Sequence, residues 1–291
     1  MKRLLNSFVL TIKTHCKSIL LCFVFACFSS VTLAQNSQST DFEKIVNTTL
    51  INKKQTSYRY LDSVFKVFSK DSLKMNLLLK KSEEKQFLEG ESYALNMLGE
   101  TYRNLSVYDK AISFHENALK KAKQAKNIDL QVISLNMLGV VYRRQDVIRT
   151  ALDYHKEALD LAETVKPTTD ILKHSIAISQ NSMGNIYLAL KQYDMALGLF
   201  EKSLKIEKEL NNKLGLAINH HNIGYAQEAI GMLDEALVNY QTSLKYNNEI
   251  DSDIGRVICY NSIGKLDILK GDYETALPIL EKALEKAKIV N

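Results

Sequence analysis

Helix breakers are scarce in this chain. Its 291 residues include two prolines and eleven glycines, which leaves little to interrupt helices. Thiols are scarcer still where a disulfide would matter. Cys16, Cys22 and Cys27 stand in the first segment and only Cys259 lies beyond it. A single thiol forms no internal disulfide, so cysteine usage does not identify the compartment. Cys259 sits among apolar residues at helical spacing and reads as a packing residue. A net charge of one sign is also missing from the body of the chain. The formal charge is +5, but Lys2, Arg3, Lys13 and Lys17 fall in residues 1–34, which hold no acid. Setting those four aside from 38 basic residues leaves 34 against 33 acidic ones. That balance removes the electrostatic argument for a nucleic-acid partner. There is no HExxH, phosphate loop, nucleophile elbow or paired-cysteine metal spacing. No cofactor is expected, and no enzyme. His220 and His221 are adjacent, so on a helix they point about 100° apart, which is a poor shared metal site.

What is present begins with an export signal over residues 1–34. Basic residues come first, Ile19 to Phe28 is an unbroken apolar run, and small residues at Thr32 and Ala34 suit cleavage before Gln35. The run is short for a membrane span, which needs about 20 residues. An uncleaved anchor, or a lipid on Cys27, are the alternatives that would put the protein on a membrane. A polar linker follows at 35–41. Residues 42–90 are apolar at helical spacing, with Phe42, Ile45 and Val46, then Leu61, Val64, Phe65 and Phe68, then Leu73, Leu77 and Leu78. They are expected to form capping helices or a degenerate first repeat.

From residue 91 to 291 a pattern recurs five times. Gly99, Gly139, Gly184, Gly224 and Gly264 are spaced by 40, 45, 40 and 40 residues. Twelve residues after each stands an alanine: Ala111, Ala151, Ala196, Ala236 and Ala276. Three after stand Tyr102, Tyr142 and Tyr187, then Gln227 and Asp267. Sixteen after come His115, His155, Phe200, Tyr240 and Leu280. Small residues at fixed places let two antiparallel helices approach, and a larger residue there would overpack at about 1–3 kcal/mol. The longer spacing puts an insertion near Lys166–Asp170, expected as a loop. Pro278 falls early in the last helix, where it should cost a hydrogen bond or bend it.

This skeleton of Leu-Gly, Tyr, Ala, a large residue and Ala resembles the tetratricopeptide repeat (TPR), and its spacing resembles the longer-helix variants. The resemblance implies an all-α fold, a right-handed α-solenoid of antiparallel helix pairs. It also implies a concave groove whose lining lies three before, one after and four after each glycine. Those places hold Asn96, Asn136, Asn181, His221 and Asn261; Glu100, Asn185, Tyr225 and Lys265; and Arg103 and Arg143, with Arg144 beside it. Two readings of the asparagine row are open. Its amides could bond the backbone of a bound peptide, or they could bond between neighbouring helices and hold the superhelix. The arginines make the N-terminal half of the groove basic, which predicts an acidic segment or terminal carboxylate in the partner. Ile279, Leu280, Ala283, Leu284 and Ala287 form an apolar strip on the last helix, expected to be exposed and to dock a partner or a second copy. The function expected is an exported, non-catalytic scaffold, periplasmic or secreted, that binds a protein or peptide. The alternative is the extracytoplasmic sensory part of a histidine kinase or helix-turn-helix regulator, cut from a longer chain.

Overall fold

The computed structural model describes residues 41–50 and 57–290, with side chains through Lys288. The expected signal, its three cysteines and nearly all of the linker lie outside the described residues. Among the described residues every regular element is a helix, and no helix is long and apolar enough to cross a membrane. Residues 41–50 form α1, followed by α2 (Tyr58–Phe65) and α3 (Ser72–Glu84). Five helix pairs come next: α4 (Leu88–Asn104) with α5 (Tyr108–Gln124), α6 (Ile128–Arg144) with α7 (Ile148–Glu163), α8 (Asp170–Ala189) with α9 (Tyr193–Glu209), α10 (Lys213–Ala229) with α11 (Leu233–Glu249), and α12 (Asp253–Lys270) with α13 (Tyr273–Val290). Each helix packs on its pair and on the next pair, the arrangement of a right-handed α-solenoid.

The 40-residue period has a simple origin. A typical helix here is 17 residues long and the typical turn after it is three, so each half-repeat takes 20. The turns are alike because the helices end alike. Gln86, Ser106, Lys126, Asp146, Lys191, Asn211, Gly231, Asp251 and Gly271 all have positive φ, between 51° and 83°. In each case the next N–H reaches back to a carbonyl five residues earlier, as Val107 does to Tyr102 at 2.9 Å. This closure satisfies carbonyls that the helix end would orphan. Only two of the nine residues are glycine, so seven sites hold a side chain in a region that favours its absence. Asn127, Thr169, Asn212 and Ser252 cap the first helices of later pairs by accepting a backbone N–H.

The insertion is not only a loop. The link from α7 to α8 runs over residues 164–169, and α8 itself has 20 residues. The extra chain is therefore shared between a longer turn and a longer helix. Thr169 caps the new start by accepting from Leu172 N.

Between paired helices, each repeat glycine faces the residue sixteen after it. A Cβ added at Gly99 or Gly139 would sit 2.5 or 2.6 Å from an imidazole atom of His115 or His155. At Gly184, Gly224 and Gly264 the same place meets Phe200, Tyr240 and Leu280 at 2.6, 2.9 and 2.6 Å. Tyr102 stacks on Phe114 at 5.3 Å between ring centroids, and Tyr142 on Tyr154 at 5.4 Å. Where Gln227 replaces the tyrosine, a hydrogen bond replaces the stack, with Asn239 Nδ2 donating to Gln227 Oε1 at 2.9 Å. Asp267 is buried at the same place in the last repeat.

The N-terminal helices pack in two ways, and the C-terminal helix differs from expectation. The helix α3 packs on α4 as the second helix of a preceding pair would, but α2 leaves the stack and lies against the other side of α4. Leu61 and Phe65 are buried there with Tyr93 and Met97. On α13, the exposed apolar strip is not the one anticipated. Ala283 is buried, Ile279, Leu280 and Ala287 are half-buried, and of the five only Leu284 is exposed. The reason is that Leu280 fills the seat against Gly264, which turns that face inward. Among the described side chains of α13, the large apolar ones that are exposed are Tyr273, Leu277 and Leu284. The helix continues through Pro278.

Candidate functional site: the concave face

The first helices of the pairs line the concave face, but the asparagine row does not lie open on it. Asn96 is 1% exposed and Asn136 4%. Asn96 Nδ2 donates to Ser134 Oγ of the next pair at 2.8 Å, and its Oδ1 accepts from His115 Nδ1 at 3.0 Å. Asn136 Nδ2 donates to the Ser175 carbonyl at 3.0 Å, and its Oδ1 accepts from His155 Nδ1 at 2.9 Å and Ser179 Oγ at 2.8 Å. Both residues are therefore corrected from groove contacts to ties between successive repeats. The amides bridge one first helix to the next while resting on the partner histidine. Asn181 continues the series half-buried, donating to Asn219 Oδ1 at 2.9 Å, and Asn185 donates back to the Asn181 carbonyl at 3.1 Å.

This network sets the histidine chemistry. The Ser175 carbonyl can only accept, so Asn136 must present its NH2 there and its oxygen to His155. His155 then carries its proton on Nδ1 and leaves Nε2 bare against Gly139, where the ring nitrogen has no hydrogen-bond partner. The same logic holds at His115, because Ser134 Oγ spends its proton on the Leu130 carbonyl. Burial, and then the nearby Arg143 and Arg103 charges, lower both imidazoles to about 3. They are neutral packing residues.

The arginines differ from one another. Arg103 is engaged, with Nη2 donating to Glu100 Oε1 at 2.6 Å and Nη1 to Met137 Sδ at 3.5 Å. Arg143 is half-buried and its Nε has no hydrogen-bond partner. Burial first, then Arg144 and Arg103, hold its basicity below the ordinary value. Arg144 is exposed. The structure thus gathers three cations, only one of them matched to Glu100. In the last two repeats, Asn261 and Lys265 are exposed and Tyr225 is 46% exposed, with Lys265 Nζ over its ring at 5.9 Å. Lys265 also pairs with Glu228, which accepts from Tyr240 Oη at 2.8 Å. His221 is half-buried beside the Tyr240 ring, its centroid 5.2 Å away. Burial lowers its basicity and Glu228 partly restores it.

A second row went unremarked in the sequence. Six residues before each repeat glycine stand Tyr93, Ile133, Ile178, Ile218 and Ile258. Four isoleucines in register were the available signal. Exposure along this row changes sharply: Tyr93 is 0% and Ile133 8% exposed, while Ile218 is 44% and Ile258 46%. Leu214 and Ile254, ten before Gly224 and Gly264, are 52% and 64% exposed. Two recesses open here. One of about 310 Å³ lies between α10 and α12, lined by Leu214, Ile218, His221, Ile254, Ile258 and Cys259. The other, about 450 Å³, lies between α8 and α10 and includes Ile178, Asn181 and the buried Glu207, which pairs with His174 at 3.0 Å.

The closed end of the row is covered by α2. Tyr58 and Phe65 pack on Tyr93 at 5.8 and 6.2 Å between centroids, and Tyr58 and Tyr93 both donate to Asp62 Oδ1 at 3.3 Å. Burial and then the Asp62 charge raise both phenols. Lys66, just past α2, lines the α8–α10 recess. The helix therefore lies against α4, the first helix of the first pair, and the residue that follows it reaches the open part of the concave face.

The tetratricopeptide repeat family model matches residues 91–164 and 175–249. A search of the curated proteins finds no match. Among solved structures, BtubC (BKLC) from P. vanneervenii is similar over 86% of this chain and 92% of its own, at 16% identity and TM-score 0.58. The Rap conjugation gene regulator of plasmid pLS20, solved in complex with the Phr* peptide, is similar over 72% of this chain at 20% identity and TM-score 0.59. A Rap protein complexed with Competence and Sporulation Factor is similar over 68%, at 16% identity and TM-score 0.60. The matches span 56% and 54% of those two Rap chains. With the family model covering more than half of its length, this chain belongs to the tetratricopeptide repeat family.

Proposed function

We propose that this protein is an exported, non-catalytic scaffold that holds a protein or peptide partner in its concave groove. The observation that carries this reading is the solvent-open apolar lining of the last repeats. Leu214, Ile218, Ile254 and Ile258 remain exposed although the helix pairs pack without them. Exposed apolar surface gathered in a concavity is the mark of an interaction site. The Rap structures, solved in complex with the Phr* peptide and with Competence and Sporulation Factor, support a fold of this kind serving that purpose. The basic cluster of Arg143 and Arg144 supports a preference for an acidic segment in the partner, since a guanidinium with an unused N–H favours a carboxylate.

Affinity purification from cell-envelope protein tests the groove. Wild type is compared with Ile218→Glu plus Ile258→Glu and with Arg143→Glu plus Arg144→Glu, each checked for helical content. The reading expects the same partner to be lost from both variants. Equal recovery from all three proteins removes the groove. Export is tested by fractionation and N-terminal sequencing, with a chain beginning at Gln35 outside the cytoplasm expected. A chain retaining Met1 in the cytoplasm contradicts it.

A further inference from the structure

We propose that the open groove across α8, α10 and α12 receives an amphipathic α-helix of the partner, laid along the isoleucine row in line with α2. This rests on the reading of the groove as the partner site and names the partner's conformation and chemistry. The first ground is the seat already filled. The helix α2 buries Leu61 and Phe65 on the same row, at Tyr93, and its end, Lys66, lines the recess that holds Ile178 and Ile218. The partner's surface continues directly from a helix-on-groove contact that this chain makes with itself. The second ground is hydrogen bonding. An extended peptide needs side chains to satisfy its backbone, and most of the amides placed to do so are committed elsewhere. Asn96, Asn136 and Asn181 all bond to neighbouring helices, which leaves Asn261 as the exposed member of the row. A helix satisfies its own backbone and asks the groove only for apolar contact.

The third ground is spacing. Packed helices lie about 8–10 Å apart and a helix rises about 1.5 Å per residue, so one repeat step corresponds to about five to seven residues of a bound helix, of which a step of about seven returns a side chain to the same face. Apolar side chains at every seventh position would meet Ile178, Ile218 and Ile258 in turn, with Leu214 and Ile254 flanking them. The partner is thus a helix of about 15–18 residues with one apolar stripe and a polar outer face.

The test uses the full chain and three fluorescein-labelled synthetic peptides of about 18 residues. One is a helix with leucine at every seventh position, one has the same composition with the leucines dispersed round the helix, and one keeps the leucine pattern but carries a central proline. Fluorescence anisotropy should show the patterned helix binding at least about tenfold more tightly than the other two. Ile218→Glu with Ile258→Glu should weaken it by at least about tenfold, while Leu277→Glu on α13 should not. Circular dichroism checks that each variant keeps its helices. Equal affinities for the three peptides, or for the wild type and the Ile218/Ile258 variant, overturn the proposal. Binding of the proline peptide as tightly, with the same dependence on Ile218 and Ile258, overturns the helix while leaving the groove reading standing. If the double variant also recovers every partner in the envelope purification, the groove reading falls with it.

Discussion

Lowering the pH from 7.5 to 5 should loosen the second repeat through His155, and His155→Phe should abolish that part of the loss. The imidazole is fully buried, donates from Nδ1 to Asn136 and leaves Nε2 against Gly139 without a partner. Burial lowers it from 6.5 to about 3 in the folded chain. Since the folded value lies below the unfolded one, protons bind the unfolded state first as pH falls. The penalty is near zero above pH 7, grows between 6.5 and 3, and stops growing below that. At pH 5 the unfolded imidazole is about 1.5 units past its midpoint, worth about 2 kcal/mol of lost stability for this one residue. The phenylalanine variant is well suited because Phe200 already holds the same seat against Gly184. Asn136 Oδ1 also keeps Ser179 Oγ as a donor. His115→Phe is a poorer choice, for it removes the one donor that Asn96 Oδ1 has. Urea unfolding followed by circular dichroism at pH 7.5, 6 and 5 gives the comparison. The wild type should lose about 2 kcal/mol more than the variant between the two extremes. Parallel pH profiles would refute the burial and tautomer reasoning.

Further expectations concern packing, turns and the asparagine ties. Gly255→Ala would put a Cβ 1.8 Å from Asn247 Oδ1 and should cost about 1–3 kcal/mol. Adding Asn247→Ala should recover most of that, as the alanines Ala122 and Ala162 already stand at this place in the first two repeats; a double-mutant cycle with no coupling counts against the contact. Lys191→Gly, at φ 58°, should raise stability by about 1 kcal/mol, and an unchanged or lowered melting temperature contradicts the strain argument. Asn136→Ala removes an amide with three hydrogen bonds and should cost about 2–3 kcal/mol in denaturant titration. A stability change below about 0.5 kcal/mol would return Asn136 to the exposed groove.

The repeat skeleton was legible because it is written in volume. Gly99 and His115, or Gly184 and Phe200, are complementary sizes at a fixed separation, and only a repeated helix pair demands that five times. The asparagines were ambiguous for a physical reason. An amide that donates and accepts suits a peptide backbone or a neighbouring serine equally, and composition does not say which arrives first. In the folded chain Ser134 and Ser175 arrive first. The place of α2 was not readable, since Leu61 and Phe65 mark an apolar face without naming what it meets. The isoleucine row stands in register in the sequence, but an apolar residue at helical spacing does not say whether it meets the core or the open face. Which of the two it meets changes along the row, from the buried Tyr93 under α2 to the exposed Ile258, and that is visible only in the folded chain.

The most direct test of the binding surface is a photo-crosslinking amino acid placed at Ile218 in living cells, with Leu284 on α13 as the comparison site. Both side chains are exposed, at 44% and 60%, so access to reagent and solvent is comparable. The account predicts a discrete adduct from Ile218, identified by mass spectrometry through a segment with apolar residues at about seven-residue spacing, and no such adduct from Leu284. An adduct from Leu284 alone, or none from Ile218, would contradict it.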